Sequence, residues 1–135
     1  MTDIVRAHTN FHNHPRYDCI LINAGQGKYF FARLLYIFGI FIEGNTHHLA
    51  LILPFDVPIP RVEQPQIDRE FKFTRVRARH RRHASFIHVE SIVRGAVLIP
   101  AHDVEFDDEF LVFDQLDEDL WMRMKTIKIA LSLNL

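Results

Sequence analysis

Arginine is concentrated in one short run of the chain, where it could bind phosphate. Residues 69–83 contain seven basic residues, two histidines and a single acid. The planar guanidinium group binds phosphate through its charge and through paired hydrogen bonds. The predicted binding site for nucleic acid or another acidic partner consists of Arg75, Arg77, Arg79, Arg81 and Arg82. In a strand, the first three of these would share one face, because side chains alternate.

Acidic residues are concentrated in a second run. Residues 103–119 contain nine acids and no basic residue, although the formal charge of the whole chain is only −1. A surface divided into a basic and an acidic pole can steer a partner even at zero net charge. The sequence therefore predicts an acidic interaction face formed by Asp107, Asp108, Glu109, Asp117, Glu118 and Asp119. These acids lack the alternating ligands and the glycine of a calcium loop.

Both charged runs have a second interpretation. The acidic run could be a solvated face, or it could accept a basic tail or the basic run of a second copy. The basic run could be a solvated hairpin tip that is neutralised by the acidic run of the same chain or of a neighbour. The sequence leaves these alternatives open.

Histidine pairs could contribute metal ligands, and the chain has three of them: His12 with His14, His47 with His48, and His80 with His83. Zinc requires three or four ligands in a tetrahedral arrangement. No pair has a recognised zinc spacing or a cysteine beside it, so we expect solvated or structural histidines. The prediction is therefore no metal and no cofactor, with the first pair as the best metal candidate.

No catalytic constellation is recognisable. The chain has no G-x-S-x-G motif, no phosphate-binding glycine loop and no H-E-x-x-H motif. The single cysteine, Cys19, lies in an apolar run, which favours a small buried side chain over a nucleophile. We therefore expect a protein without catalytic residues.

The first half of the chain is predicted to form a meander of three strands. Residues 1–16 are a polar, extended lead-in, and residues 17–23 have the composition of a strand. Two glycines in residues 24–27 indicate a hairpin turn. Residues 28–43 are apolar on both alternating faces, which favours a central strand, with a bulge or bend at Gly39. A turn at residues 44–46 and a third strand at residues 47–55 complete the meander.

The second half alternates loops with short strands and ends in one helix. Residues 56–69 contain three prolines and form a loop that leaves the sheet. Strands are predicted at residues 71–79, 86–93, 96–99 and 109–114. Asp117 can cap a helix at about residues 117–130, in which Leu120, Met124 and Ile127 recur at helical spacing. The predicted fold class is mostly β, a small bent barrel or sandwich with a C-terminal helix, in one domain over residues 17–135.

Composition favours an intracellular globular protein. Apolar residues make up 48% of the chain, and there is one cysteine, which fits a reducing compartment. The longest apolar stretch has nine residues, whereas a membrane-spanning helix needs about 20. No secretory signal is visible at the N-terminus. We expect no membrane insertion, and a nuclear location if the protein binds nucleic acid.

One stretch resembles a known family. Residues 29–38, Y-F-F-A-R-L-L-Y-I-F, resemble the A-R-I-x-x-I-F/W strand of bromo-adjacent homology (BAH) domains. Residues 19–22 stand where that family has its preceding strand, and residues 86–98 where it has a later one. The resemblance implies a β-barrel module that binds chromatin or proteins without catalysis. No aromatic cage for methyl-lysine stands at matching positions, so no cage residue is carried over.

A second resemblance covers most of the chain. It is similar to the C-terminal region of proteins encoded by fungal transposon-derived genes. The matching stretches are residues 14–18, 31–35, 49–52, 75–79 and 92–96. This resemblance implies that the chain is part of a mobile-element-derived protein.

The charge pattern and the resemblances lead to three functional hypotheses. The first is a non-catalytic binding module, associated with nucleic acid or chromatin within a mobile-element-derived protein. The second is self-association or protein–protein interaction, in which the basic pole of one copy meets the acidic pole of another. The third is a metal-dependent enzyme.

Overall fold

The described part of the protein is mostly β, as the sequence predicts. A computed structural model describes residues 5–11, 14–101 and 108–113. Its strands are β1 (Ala7–Phe11), β2 (His14–Tyr17), β3 (Cys19–Gly25), β4 (Lys28–Ile42), β5 (Asn45–Pro54), β6 (Thr74–Arg77), β7 (Ser85–His88), β8 (Ile92–Pro100) and β9 (Glu109–Phe113). A short helix, α1 (Gln66–Glu70), precedes β6. The predicted C-terminal helix lies outside the described residues.

Seven strands form one antiparallel sheet in the order β6-β9-β8-β3-β4-β5-β7, and β1 and β2 form a separate hairpin. The sheet is not closed into a barrel. Two backbone hydrogen bonds nevertheless join the region of β6 to the end of β5: Arg79 N–H donates to Pro54 C=O (2.9 Å), and Val57 N–H donates to Arg77 C=O (3.2 Å). The expected small barrel or sandwich is therefore an open sheet that bends back on itself.

Tight turns produce the β3–β4–β5 meander. Gln26 and Gly27 join β3 to β4 with φ of 54° and 73°, and Glu43 and Gly44 join β4 to β5 with φ of 51° and 82°. Two consecutive residues with positive φ are what a two-residue type I′ hairpin loop requires. The first predicted turn is confirmed, and the second lies one residue earlier than expected.

The irregularity in β4 lies at Leu35, whereas the sequence predicts it at Gly39. Leu34 pairs with Ile52 and Tyr36 with Leu51, so Leu35 is the extra residue of a bulge, while Gly39 pairs regularly. An extra residue reverses the alternation of the side chains that follow it. The bulge therefore places Tyr36 and the alternate residues after it on the same face as Arg33.

The core consists of two clusters on opposite faces of the central strands. One contains Leu21, Phe31, Leu53, Phe55, Phe110 and Val112. The other contains Ile20, Ile22, Ala32, Leu34, Ala50 and Ile52. Two apolar strand residues, Ile37 and Val97, belong to neither cluster and are 42% and 58% exposed. Both faces of β3 are covered, because β9 packs on one cluster and the segment before β2 packs Val5 and Ala7 on the other.

Candidate functional site

The arginine that begins the basic strand lies in the interior. The Arg75 side chain is 3% exposed, and its Nε donates to Asp68 Oδ2 at 2.8 Å while Nη1 donates to Glu109 Oε2 at 3.3 Å. Asp68 and Glu109 are buried as well, at 4% and 6% exposure. Buried charges persist only when they are paired and hydrogen-bonded. Arg75 therefore neutralises two carboxylates of its own chain and is not presented to a phosphate at the surface.

The next two arginines also bind carboxylates of the same chain. Arg77 Nη2 donates to Glu109 Oε1 at 2.6 Å and to Glu63 Oε2 at 3.2 Å. Arg79 donates to both oxygens of Asp56 through Nε and Nη2, at 2.5 and 2.8 Å. Hydrogen bonds to Glu109 raise the pKa of Arg77, and those to Asp56 raise the pKa of Arg79. The arginines are therefore neutralised within the chain, but of their partners only Glu109 belongs to the acidic run from which the sequence predicts this neutralisation.

The loop between β5 and β6 supplies three of these acids. Asp56, Glu63 and Asp68 all precede β6, and α1 positions Asp68 with a backbone hydrogen bond from Asp68 N–H to Pro65 C=O (3.1 Å). The Asp68 carbonyl accepts the Phe73 N–H at 2.9 Å, which turns the chain into β6. The three prolines of this loop predict a segment that leaves the sheet. That prediction does not include the ion pairs that its acids form with the arginines. The sequence feature that could have indicated these ion pairs is the presence of three acids before an arginine-rich strand.

The predicted acidic face is only partly described, and its described members lie against the arginine strand. Glu109 pairs with Arg77 across the β6–β9 ladder, so its carboxylate is buried between two arginines. The Asp108 carbonyl accepts the Ala78 N–H at 2.7 Å. The other four, Asp107, Asp117, Glu118 and Asp119, lie outside the described residues. The basic and acidic runs therefore meet where β6 and β9 are described, and do not form two separate poles there.

The last two arginines of the basic run are exposed. Arg81 and Arg82 belong to a short 3₁₀ helix, Arg81–His83, which ends two residues before β7 begins. The Arg82 N–H donates to His80 Nδ1 at 3.3 Å. Among the described residues, neither guanidinium group has an ion pair. Within the described part of the chain, these are the two arginines of the predicted site that are not bonded to a carboxylate.

Two aromatic rings are exposed on one face of the sheet, and one of them, Phe86, lies in β7, shortly after these arginines in sequence. Tyr36 and Phe86 are 59% and 63% exposed, and the bulge in β4 places them in one row, because both are paired with Leu51. The Phe38 ring lies between them, stacked on Tyr36 and edge-on to Phe86, with centroids 5.7 Å apart in both pairs. Three aromatic rings therefore form one continuous surface.

We call the whole of this surface the aromatic face. The ladders place ten side chains on it: Tyr36, Phe38, Ile40 and Ile42 from β4, Asn45, His47, Leu49 and Leu51 from β5, and Phe86 and His88 from β7. None of these ten carries a carboxylate, an ammonium or a guanidinium group, and Arg33, which shares this face of β4, lies over the Phe55 and Phe110 rings. The His47 and His88 rings are 6.1 Å apart. Five of the ten side chains are exposed and five are partly buried. A contiguous, largely apolar surface without formal charges is typical of the centre of an interaction site. The sequence pattern predicts a central strand for these β4 residues. That prediction does not include the exposure of their side chains on the aromatic face.

Three other kinds of site are a cysteine nucleophile, a metal centre and a membrane-spanning helix. Burial raises the pKa of the Cys19 thiol, partly offset by the charge and hydrogen bond of Arg33, so the thiol is a poor nucleophile. Within residues 5–11, 14–101 and 108–113, no cluster of three or more His, Cys, Asp or Glu side chains could hold a metal ion. The same residues contain no helix of the length and apolarity needed to span a membrane.

No family model, curated protein or solved structure matches the chain. The resemblances to BAH domains and to fungal transposon-derived proteins therefore stay predictions. The class that fold and surface define is an open, antiparallel β-sheet domain with an exposed aromatic face.

Proposed function

We propose that this chain is a non-catalytic binding module that engages a protein partner through the aromatic face. The observation that carries the proposal is the continuous, uncharged surface formed by Tyr36, Phe38 and Phe86. Aromatic side chains contribute disproportionately to protein–protein binding, because they bury a large area at a small cost in side-chain entropy. Each Å² of apolar surface removed from water contributes about 25 cal/mol.

The charged residues support a protein partner more than a phosphate backbone. Three of the five predicted phosphate-binding arginines, Arg75, Arg77 and Arg79, are bonded to carboxylates of their own chain. A nucleic acid would have to displace those carboxylates before it could use them. Of the sequence hypotheses, protein–protein interaction is therefore the one we favour, with apolar contacts in place of complementary charged poles.

The test is to remove two rings without disturbing the core. The double variant Tyr36→Ser/Phe86→Ser should lose proteins that the parent chain retains in affinity capture with quantitative mass spectrometry. Val62→Ser is the matched control, because Val62 is 92% exposed on the 3₁₀ helix Arg61–Glu63, away from the aromatic face. It should retain the same proteins. If the double variant, with its fold verified by circular dichroism, retains every partner of the parent, the proposal is wrong.

Binding to nucleic acid or chromatin is the second candidate, and the exposed arginines favour it. Arg81 and Arg82 precede β7, which carries the exposed ring of Phe86. Arginine beside an exposed ring is the combination that binds single strands, by charge and by base stacking. Titration with a single-stranded oligonucleotide at several salt concentrations tests it. The variant Arg81→Ala/Arg82→Ala should lower the salt slope by roughly one unit for each phosphate that it no longer binds.

A further inference from the structure

We propose that β7 is a docking edge for an extended segment of a partner protein, which adds to the sheet as an antiparallel strand and ends in acidic residues. This inference rests on the proposed function, since the added strand would extend the aromatic face. It specifies the partner's conformation, its direction and the position of its charges.

The two outer strands of the sheet differ in how their edges are covered. Beside β6, the Arg77 carbonyl already accepts the Val57 N–H at 3.2 Å, and Arg79 N–H is bonded to Pro54 C=O. β7 pairs with β5 on one side, and among the described residues it has no ladder partner on the other. An unpaired row of N–H and C=O groups is a template for another strand.

Within β7 the sequence contains no charged residue, proline or bulge that would repel an added strand. Proteins protect sheet edges with these features and with very short edge strands, and β7, with four residues, has only the last of them. β7 is Ser-Phe-Ile-His, and its pairing with β5 is regular from Ser85 to His88. Ile87 packs on the buried cluster around Ile20 and Ile52, which holds the strand in place. Among the described residues, the outer edge of β7 is therefore unpaired, and Ile87 anchors the strand to the core.

Because side chains alternate between the two faces of a strand, the positions of the partner's side chains relative to β7 can be assigned. Phe86 and His88 are exposed and lie on the aromatic face, with Phe86 edge-on to Phe38 and His88 beside His47. Alternate side chains of an added strand would lie next to Phe86 and His88, because cross-strand neighbours are about 5 Å apart. Aromatic or β-branched residues suit these positions. Since β7 has four residues, backbone bonds alone would give weak binding, and side chains must supply the rest.

The exposed arginines determine where the partner carries its charge. Arg81 and Arg82 stand before the N-terminal end of β7, and neither has an ion pair within the described part of the chain. All ladders of the sheet are antiparallel. In an antiparallel addition, the C-terminal end of the partner segment lies beside the N-terminal end of β7. The partner is therefore an extended apolar segment followed by carboxylates.

The probe is a fluorescein-labelled peptide, Thr-Val-Thr-Phe-Thr-Val-Asp-Asp-Asp, titrated against the full chain and followed by fluorescence anisotropy. The same composition with the three acids first is the control for direction. We expect the acid-last peptide to bind at least about tenfold more tightly, with an affinity that falls as salt rises. Arg81→Ala/Arg82→Ala should remove most of that difference. Equal affinity for both peptides, or no binding of either, would overturn the proposal.

N-methylation distinguishes strand addition from mere adhesion to the aromatic face. Two further peptides carry N-methyl groups at alternate residues, one on the odd and one on the even positions. Only one set of N–H groups in an added strand faces the edge, so one peptide should bind like the parent and the other should fail. If both bind equally well, no strand is added.

The outcome is separable from that of the proposed function. If capture depends on Tyr36 and Phe86 but the peptide does not bind, the aromatic face is the site and the edge is not. If Arg81→Ala/Arg82→Ala loses affinity for an oligonucleotide while the peptide does not bind, the arginines serve nucleic acid, and the docking proposal is wrong.

Discussion

Arg75 lies between two buried carboxylates and forms an ion pair with each of them. Its guanidinium group bonds Asp68 and Glu109, and the side chains of all three residues are at most 6% exposed. Removing one partner of a buried ion pair leaves an uncompensated charge in a low-dielectric site, whereas the intact pair contributes little net stability. The cluster therefore constrains which residues this position tolerates.

Arg75→Ala should destabilise the fold by about 3–5 kcal/mol, because the buried Asp68 carboxylate would lose its arginine partner and Glu109 would keep only Arg77. Arg79→Ala is the control, since Arg79 binds Asp56 at the surface, where its removal should change stability far less. Urea unfolding followed by circular dichroism measures both. Equal midpoints for the two variants would show that the Arg75 cluster is solvated.

Cys19 predicts a pH dependence at the alkaline end. Burial raises the pKa of its thiol above the ordinary value of 9.0. A group with a higher pKa in the folded state contributes stability that is fully present below its unfolded pKa and is lost as pH rises through the folded pKa. Stability should therefore decline from about pH 9 upward, and Cys19→Ala should flatten that decline relative to its own stability at pH 7. An unchanged slope in urea unfolding at pH 7 to 10.5 would contradict this assignment.

The alternation of Arg75 and Arg77 could be predicted from the sequence, but their surroundings could not. Period-two spacing places both on one face of a strand, and both contact Glu109. Whether that face meets solvent depends on the loop that carries Asp68, which is a tertiary contact. Propensity and periodicity describe single segments, so they do not reveal which acid neutralises which arginine.

At the level of elements, the bulge at Leu35 determines what β4 exposes. It keeps Leu34 in the interior, at 0% exposure, while it directs Tyr36 and Phe38 to the aromatic face. Bulges increase local twist and re-aim side chains, and they often adjoin functional sites. The aromatic face exists because of this one additional residue.

Leu34→Ala should cost about 2–5 kcal/mol, as for other large truncations in a packed core. Leu35→Ala should cost less, because Leu35 lies in the bulge and is only partly buried. Chemical denaturation measures the free energy of unfolding of both variants and its dependence on denaturant concentration. A larger loss at Leu35 would place the register shift elsewhere in β4.

The meander was largely predictable from the sequence, whereas the bulge was not. Gly27 and Gly44 mark turns because glycine adopts positive φ without steric cost. Gly39 has an ordinary position in the ladder, and the sequence around Leu35 contains no glycine or proline that would mark the shift. The bulge is visible only in the pairing of β4 with β5, which joins residues that are distant in the sequence.

For the molecule as a whole, the charge pattern and the exposed aromatic face act together. Acids neutralise three of the arginines internally, and the formal charge of the chain is −1 at pH 7. Electrostatic repulsion between two copies of the chain is therefore weak. Low net charge combined with an exposed apolar patch promotes association.

The chain should therefore associate weakly at neutral pH and low ionic strength, and Tyr36→Ser/Phe86→Ser should reduce that association. Light scattering across a concentration series measures it, with Val62→Ser as the control. If the parent chain is monomeric at every concentration, or if the double variant associates as strongly, the aromatic face does not mediate contact between copies.

The division of β8 between two partners has a consequence for the order of folding. Its first half, up to Ala96, pairs with β3, and its second half, from Val97, pairs with β9. The pairing of Cys19 with Ala96 closes a long loop, at an entropic cost that the hairpins of the meander avoid. We expect β3, β4 and β5 to form a nucleus on which β8 later docks. Substitutions in the β3–β4 turn should therefore slow folding, whereas those in β9 should accelerate unfolding.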